Sequence, residues 1–191
     1  WLVYNLEMLP IGHSSAGFLI SQLKKPKPNI KEIIFLIFCA NIFDLDLIYL
    51  FVNQKPLFIH HRLPSHTPFF GIFYFLILYL IFKKIFSKKI FILAILASLS
   101  HLFLDNLTYI LYPNISSNSI SWFYPFFDPQ NNINTKLLNL KSNQYTTEFS
   151  TVINYYLNQK PALMYIEIVL LFLSAIIYYI RYVKKSKKIS D

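Results

Sequence analysis

The 191-residue sequence is short of cysteine, glycine and charge, and each shortage argues against a class of protein. A single cysteine, Cys39, excludes an internal disulfide and a zinc-finger type of site. Three glycines are few for the tight turns of an all-β barrel. Charged residues make up 14% of the chain and hydrophobic residues 55%, whereas about a quarter of an average soluble domain is charged. The composition therefore predicts an all-α protein in a membrane.

Four long apolar runs are typical of membrane-spanning helices. They cover residues 33–52, 68–82, 90–112 and 162–180. Three of them approach or exceed the ~20 residues that a helix needs to cross the hydrocarbon core. The run 68–82 is shorter, but the lysines at 83 and 84 can snorkel to the membrane surface. With a weaker helical segment at 12–23, we expect an integral membrane helical bundle of about four transmembrane helices plus an N-terminal helix.

The basic residues predict how this bundle is oriented. The net charge of +9 comes mainly from three clusters, at 24–31, 83–89 and 181–188, which hold thirteen of the 18 Lys and Arg residues. Each cluster borders an apolar run, as cytoplasmic loops do in membrane proteins, so lipids are better partners for it than a nucleic acid. We therefore expect one domain, 1–191, in the inner or plasma membrane, with a basic cytoplasmic tail at 181–191 and an extracytoplasmic loop region at 113–161. Residues 1–7 lack the basic start of a signal peptide, and Met8 reads as a natural start.

Ionisable side chains gather at one predicted membrane level. Two acids lie in the outer half of the run 33–52, and a histidine and an acid lie in the outer half of the run 90–112. Two histidines of the stretch HHRLPSHT (60–67) follow in the outer loop, and one histidine starts the N-terminal helix. Such groups are costly in a membrane and are functional candidates for that reason. The seven are His13, Asp44, Asp46, His61, His66, His101 and Asp105.

The spacing of these residues favours a metal site. His101 and Asp105 are four residues apart and share a helix face, so they can bind one cation or each other. Asp44 and Asp46 point to different sides of a helix, so one can bind directly while the other bridges a second ion or orients a histidine. Imidazoles with carboxylates suit Zn²⁺, Mn²⁺ or Fe²⁺ better than Mg²⁺. Each residue alone has a plainer explanation as a solvated or capping group, but burying the whole set without a counter-ion costs several kcal/mol per charge.

Several short motifs, in order, resemble the YdjM-like family of inner-membrane metal-dependent hydrolases. The family is itself similar to zinc-dependent phospholipase C and the P1-type nucleases, which are all-helical and cleave phosphoesters. The motifs are GH at 12–13, DLD at 44–46, HRLPSHT at 61–67 and SHLFLD at 100–105, followed by Thr108, Trp122 and Pro125.

The resemblance implies roles for individual residues. It makes His13, Asp44, His61, His66, His101 and Asp105 metal ligands, and Asp46 a ligand or the general base. The chain departs from the family pattern at Phe43, Leu47 and His60, where the family has Pro, His and Gly. No implied ligand is lost by these changes, and His60 is expected to be dispensable.

These observations predict hydrolysis of a phosphoester, lipid-linked or in a phospholipid headgroup, at the outer face of the membrane. Two or three divalent ions, most plausibly zinc, would activate water, and Asp46 or Asp105 would accept its proton. Arg62 would bind a phosphate oxygen through its fork of N–H groups. An ion or metal transporter, and a scaffold with a structural metal, remain as alternatives. Glu167, in the last run, either snorkels or joins the site.

Overall fold

Every element in the described part of the chain is helical. The computed structural model describes residues 9–53, 63–112 and 161–184, together with the single positions 122, 126 and 158. A 3₁₀ turn at Pro64–His66 precedes the fourth α-helix, and a π-helical segment at Tyr179–Val183 follows the last. The α-helices are α1 (Pro10–Ser21), α2 (Ile30–Ala40), α3 (Leu45–Val52), α4 (Pro68–Phe82), α5 (Lys88–Leu111) and α6 (Pro161–Tyr178).

Local sequence explains where three of these helices begin. Pro10 occupies the first turn of α1, where its missing N–H costs nothing. Asn29 and Glu32 form a capping box at the start of α2, each side chain accepting a hydrogen bond from the other residue's backbone N–H. Thr67 caps α4, its hydroxyl accepting the N–H of Phe70, and Pro68 follows it in the first turn.

The apolar run 33–52 is two helices and not one straight span. α2 ends at Ala40, α3 begins at Leu45, and their axes differ by 57°. Asn41 stabilises the break, because its side chain donates to the carbonyl oxygen of Ile37 at 2.8 Å and to Ser14 Oγ at 3.2 Å. The prediction of a single helix here is wrong in this respect, since the apolar pattern continues through the break without a Pro or Gly to mark it.

The helices pack around α1 and α5. α1 lies against α2, α5 and α6, while α5 also contacts α2 and α4. Gly17 permits the closest approach, since a β carbon there would lie 2.7 Å from the β carbon of Ala40. The largest buried cluster joins α2, α4 and α5 around residues such as Leu36, Ile90 and Leu102. α1 is therefore held between α2 and α6, with one of its faces against α5.

The prediction of an all-helical protein with membrane-spanning helices is confirmed. α5 and the helix Pro161–Val183 are long and apolar enough to span a bilayer, and the bent pair α2 and α3 supplies a third span if it is counted as one. Large apolar side chains such as Ile72 and Phe172, 66% and 62% exposed, cover the outside as lipid contacts require. α4 has only 15 residues, so the count of four spans stays a prediction. The loop predicted at 113–161 lies outside the described residues except for positions 122, 126, 158 and 161.

Candidate metal centre

Four of the predicted ligands meet in the interior of the bundle. His13 comes from the second turn of α1, His66 from the 3₁₀ turn, and His101 and Asp105 from successive turns of α5. None of the four is more than 1% exposed to solvent. The helix break brings a fifth, Asp44, to their edge. Residues that are up to 92 positions apart in the sequence are thus collected at one place by the packing of α1, α2 and α5.

Asp105 is at the centre of this cluster. Its Oδ1 lies 3.1 Å from His13 Nε2, and its Oδ2 lies 3.0 Å from the Nε2 atoms of both His66 and His101. Those two Nε2 atoms are 3.2 Å from each other. Asp44 Oδ1 is 3.6 Å from His101 Nε2, and Asp44 is the most exposed member of the group at 16%. Three imidazoles therefore point the same ring nitrogen at one carboxylate.

The other ring nitrogens explain why Nε2 faces the cluster. His101 Nδ1 lies 2.7 Å from the carbonyl oxygen of Ala40, which can only accept, so we assign the proton of His101 to Nδ1. His66 Nδ1 lies 3.4 Å from Asp46 Oδ2, which also receives the hydroxyl of Ser65 at 3.0 Å. Backbone carbonyls and carboxylates orient metal-binding histidines in the same manner. When His66 is neutral with its proton on Nδ1, its Nε2 and that of His101 are both free to accept, 3.2 Å apart, and a cation would stabilise this arrangement.

The distances fit a metal ion of the zinc type. With Zn–N and Zn–O bonds of about 2.0–2.1 Å in a tetrahedron, neighbouring ligand atoms are about 3.3 Å apart. The closest contacts between different donor pairs are 3.0 to 3.6 Å long. One trio, His13, His101 and Asp105, offers ligand atoms that all lie within 4.8 Å of one another. The donor set, imidazole with carboxylate, suits Zn²⁺, Mn²⁺ or Fe²⁺ better than Mg²⁺.

Charges around the centre shift the protonation of two histidines. Burial disfavours the charged form of His66, but hydrogen bonds with Asp105 and Asp46 outweigh it and raise the pKa of His66 to about 10. Burial also lowers the pKa of His13, but the negative charge of Asp105 outweighs this effect, so the pKa of His13 is raised overall. Without a metal, protons are therefore held tightly where a divalent cation would bind.

The chain matches the family model described as YdjM inner membrane protein over residues 8–186. The chain belongs to the YdjM inner membrane protein family. No match was found among curated proteins or among solved structures. The family match covers every element that forms the cluster, from His13 in α1 to Asp105 in α5, and extends to the end of α6. A membrane location follows from the family and from the apolar helices together.

The remaining residues predicted for this YdjM chain differ in their positions. Among the described residues, Asp46 contacts the cluster through His66 and accepts a hydrogen bond from Ser65, so it orients one of the predicted ligands. His61 and Arg62 lie outside the described residues, and their roles stay predictions. Glu167 is 5% exposed and does not snorkel; its Oε1 accepts the N–H of Leu9 at the start of α1.

Sequence reasoning did not identify two supporting groups. Ser65 holds Asp46, and the carbonyl oxygen of Ala40 holds His101. Ser65 stands between the predicted residues Arg62 and His66 in one motif, which is a signal that could have been used. A backbone carbonyl has no sequence signal, because its availability depends on the end of α2.

Proposed function

We propose that this protein is a membrane-bound, metal-dependent hydrolase that cleaves a phosphoester bond at the extracytoplasmic face of the membrane. The observation that supports it best is the convergence of three imidazole Nε2 atoms on the two oxygens of Asp105, at 3.0–3.1 Å. Asp44 and Asp46 add negative charge, and no described Lys or Arg side chain pairs with either of them. A divalent cation that replaces the protons held there suits such a set of donors.

His13, His66, His101 and Asp105 would hold the metal, with Asp44 at the more exposed edge. When bound there, a divalent cation polarises a phosphoryl oxygen and lowers the pKa of a water molecule. Asp105 presents one oxygen to His13 and the other to His66 and His101, so these residues would supply donors for more than one ion. We propose zinc, with two or three ions in the site.

Asp46 is a better candidate for the proton acceptor than Asp105. Its Oδ1 accepts no hydrogen bond from the residues that the structure describes, while its Oδ2 accepts one from Ser65. Both oxygens of Asp105 instead face imidazoles. Arg62, three residues before Ser65, would position the substrate by donating two N–H groups to a phosphate.

The substrate class follows from the setting of the site. Lipid-facing helices surround it, and a phosphoester at the membrane surface could reach it while its acyl chains stay in the bilayer. We therefore propose a lipid-linked phosphoester or a phospholipid headgroup as the substrate.

A structural metal in a membrane scaffold is the second candidate. The observation that favours it is burial, because His66 and His101 are 0% exposed and structural zinc sites are closed. A catalytic site needs a position open to substrate, which Asp44 would border at 16% exposure. The two candidates therefore differ in whether the metal can be reached from outside.

The deciding experiment measures metal content and turnover in one preparation. The full chain is purified in detergent, its metals are quantified, and phosphodiester and phospholipid substrates are assayed with and without a chelator. Hydrolysis that is lost on chelation and in His101→Ala supports the hydrolase. Bound zinc with no turnover, together with unfolding on chelation, supports the structural site. Absence of metal above background in the wild type contradicts both.

A further inference from the structure

Two cationic side chains, Lys27 and Arg181, meet where the segment after α6 packs on the end of α1, away from the metal centre. Arg181 lies in the π-helical segment Tyr179–Val183, and such segments occur frequently at functional sites. Its guanidinium donates to the backbone carbonyl and the side-chain oxygen of Gln22, at 2.8 and 3.1 Å. The hydroxyl of Tyr182 donates to the same side-chain oxygen at 3.2 Å. Neutral acceptors at the end of α1 therefore fix Arg181 without neutralising its charge.

Lys27 is fixed beside Arg181 in the same way. Its ammonium lies 3.4 Å from the centroid of the Tyr182 ring and donates to the carbonyl oxygen of Arg181 at 3.1 Å. Neither cation has a carboxylate partner in the ranges that the structure describes, and Glu32 pairs instead with Lys24 at 2.6 Å. Lys27 lies over the ring of Tyr182, and Arg181 shares the side-chain oxygen of Gln22 with the hydroxyl of that tyrosine, so both positive charges border the same residues and favour an anion there.

We propose that Lys27 and Arg181 form a binding site for the phosphate of an anionic phospholipid headgroup. Arginine binds phosphate through a planar fork of N–H groups, and lysine adds a point charge. The surroundings favour a lipid over a soluble anion, because Leu23 and Tyr179, 61% and 56% exposed, can contact an acyl chain. Exposed Lys25 and Lys184 add positive charge nearby.

This site is separate from the metal centre. Gln22, which holds Arg181, follows the end of α1, whereas His13 lies near its start. Nine residues of helix separate them, or about 13 Å along the axis. A lipid bound at Lys27 and Arg181 would therefore tie α1 to α6 at one end of the bundle while the metal acts at the other.

The test compares two phospholipids on the full chain purified in detergent. Phosphatidylglycerol or phosphatidylcholine is titrated into the micelles, and the unfolding temperature and the apparent dissociation constant are measured. We expect phosphatidylglycerol to stabilise the wild type more than phosphatidylcholine does. Lys27→Gln and Arg181→Gln should each weaken phosphatidylglycerol binding about tenfold or more, the effect of losing one charge-assisted hydrogen bond. Lys88→Gln, which removes an exposed charge from the start of α5, is the matched control and should change phosphatidylglycerol binding little.

Each variant is compared with its own phosphatidylcholine baseline, so a general loss of stability does not count as a loss of binding. If Arg181→Gln fails to fold, Lys27→Gln decides, because Lys27 is exposed and its contacts within the described residues are one backbone carbonyl and the Tyr182 ring. Equal binding of phosphatidylglycerol by the wild type and Lys27→Gln would overturn the proposal. An equal stabilisation by glycerol phosphate or inorganic phosphate, with no added effect of the acyl chains, would overturn its lipid part.

Discussion

His101 Nδ1 lies 2.7 Å from the carbonyl oxygen of Ala40, the last residue of α2. A helix that ends leaves carbonyl groups without partners, and in a membrane each of them must be satisfied inside the protein. Ser98 Oγ donates to the preceding carbonyl, that of Cys39, at 2.6 Å. The helix break in the run 33–52 therefore does two things: it frees a carbonyl that orients His101, and it turns Asp44 towards the same histidine at 3.6 Å.

His101→Ala should remove metal and activity together. This residue contacts Asp105, His66 and Asp44, so its loss opens the centre of the cluster. Changes to groups that only support a ligand reduce metal affinity or activity about 10- to 100-fold, and loss of a ligand should exceed that. Metal content and initial rates measure the effect. His60→Ala is the control and should keep both the metal and the activity. If His60→Ala loses activity and His61→Ala does not, the ligand in the motif HHRLPSHT has been assigned to the wrong histidine.

Asp46→Asn should weaken the centre without removing a ligand. The carboxylate of Asp46 holds His66 and is itself held by Ser65. We expect a fall in metal affinity of about 10- to 100-fold, measured by competition with a chelating dye. Ser65→Ala should act in the same direction but less, and Ser65→Thr should restore the affinity because it keeps the hydroxyl. Unchanged affinity in Asp46→Asn would show that Asp46 does not orient His66.

The sequence predicted which ionisable side chains lie together better than it predicted the helices that carry them. His13, His66, His101 and Asp105 could be selected because ionisable groups are rare in apolar runs, and the structure brings all four together. The bend between α2 and α3 was not predicted, because no Pro or Gly marks it and the polar residues Asn41 and Asp44 also occur inside helices. That bend depends on tertiary contacts of Asn41 and of the last carbonyls of α2, which periodicity does not reveal.

Gly17→Ala should destabilise the protein and loosen the metal centre. The added β carbon would lie 2.7 Å from Ala40 Cβ and 3.0 Å from backbone atoms of Ile37 and Leu36, which cannot move without shifting α2. Overpacking of this kind costs about 1–3 kcal/mol. Gly17 is also one turn after His13, so separating α1 from α2 moves a ligand as well as the carbonyl that holds His101.

Gly71→Ala provides the matched glycine control for this prediction. Its β carbon would meet only the ring of Phe43, at 3.1 Å, and a side chain can adjust more easily than a backbone. The unfolding temperature and the metal affinity should therefore fall more in Gly17→Ala than in Gly71→Ala. Equal losses in the two variants would contradict a special role for the contact between α1 and α2.

The pH dependence of stability should change sign when metal is bound. Without metal, Asp105 and Asp46 raise the pKa of His66 from its ordinary 6.5 to about 10, against the opposing effect of burial. The folded state then binds a proton more tightly than the unfolded state does, so this contribution to stability is complete below pH 6.5 and is lost as the pH rises towards about 10.

A metal ion must displace that proton, so its affinity should instead rise with pH, by about tenfold per unit if one proton is released. Unfolding temperatures at pH 6.5 and 8.5, with chelator and with saturating zinc, measure both trends, and His66→Gln should flatten them. If the chelated wild type becomes more stable as the pH rises, the proton on His66 is not the one that the metal replaces.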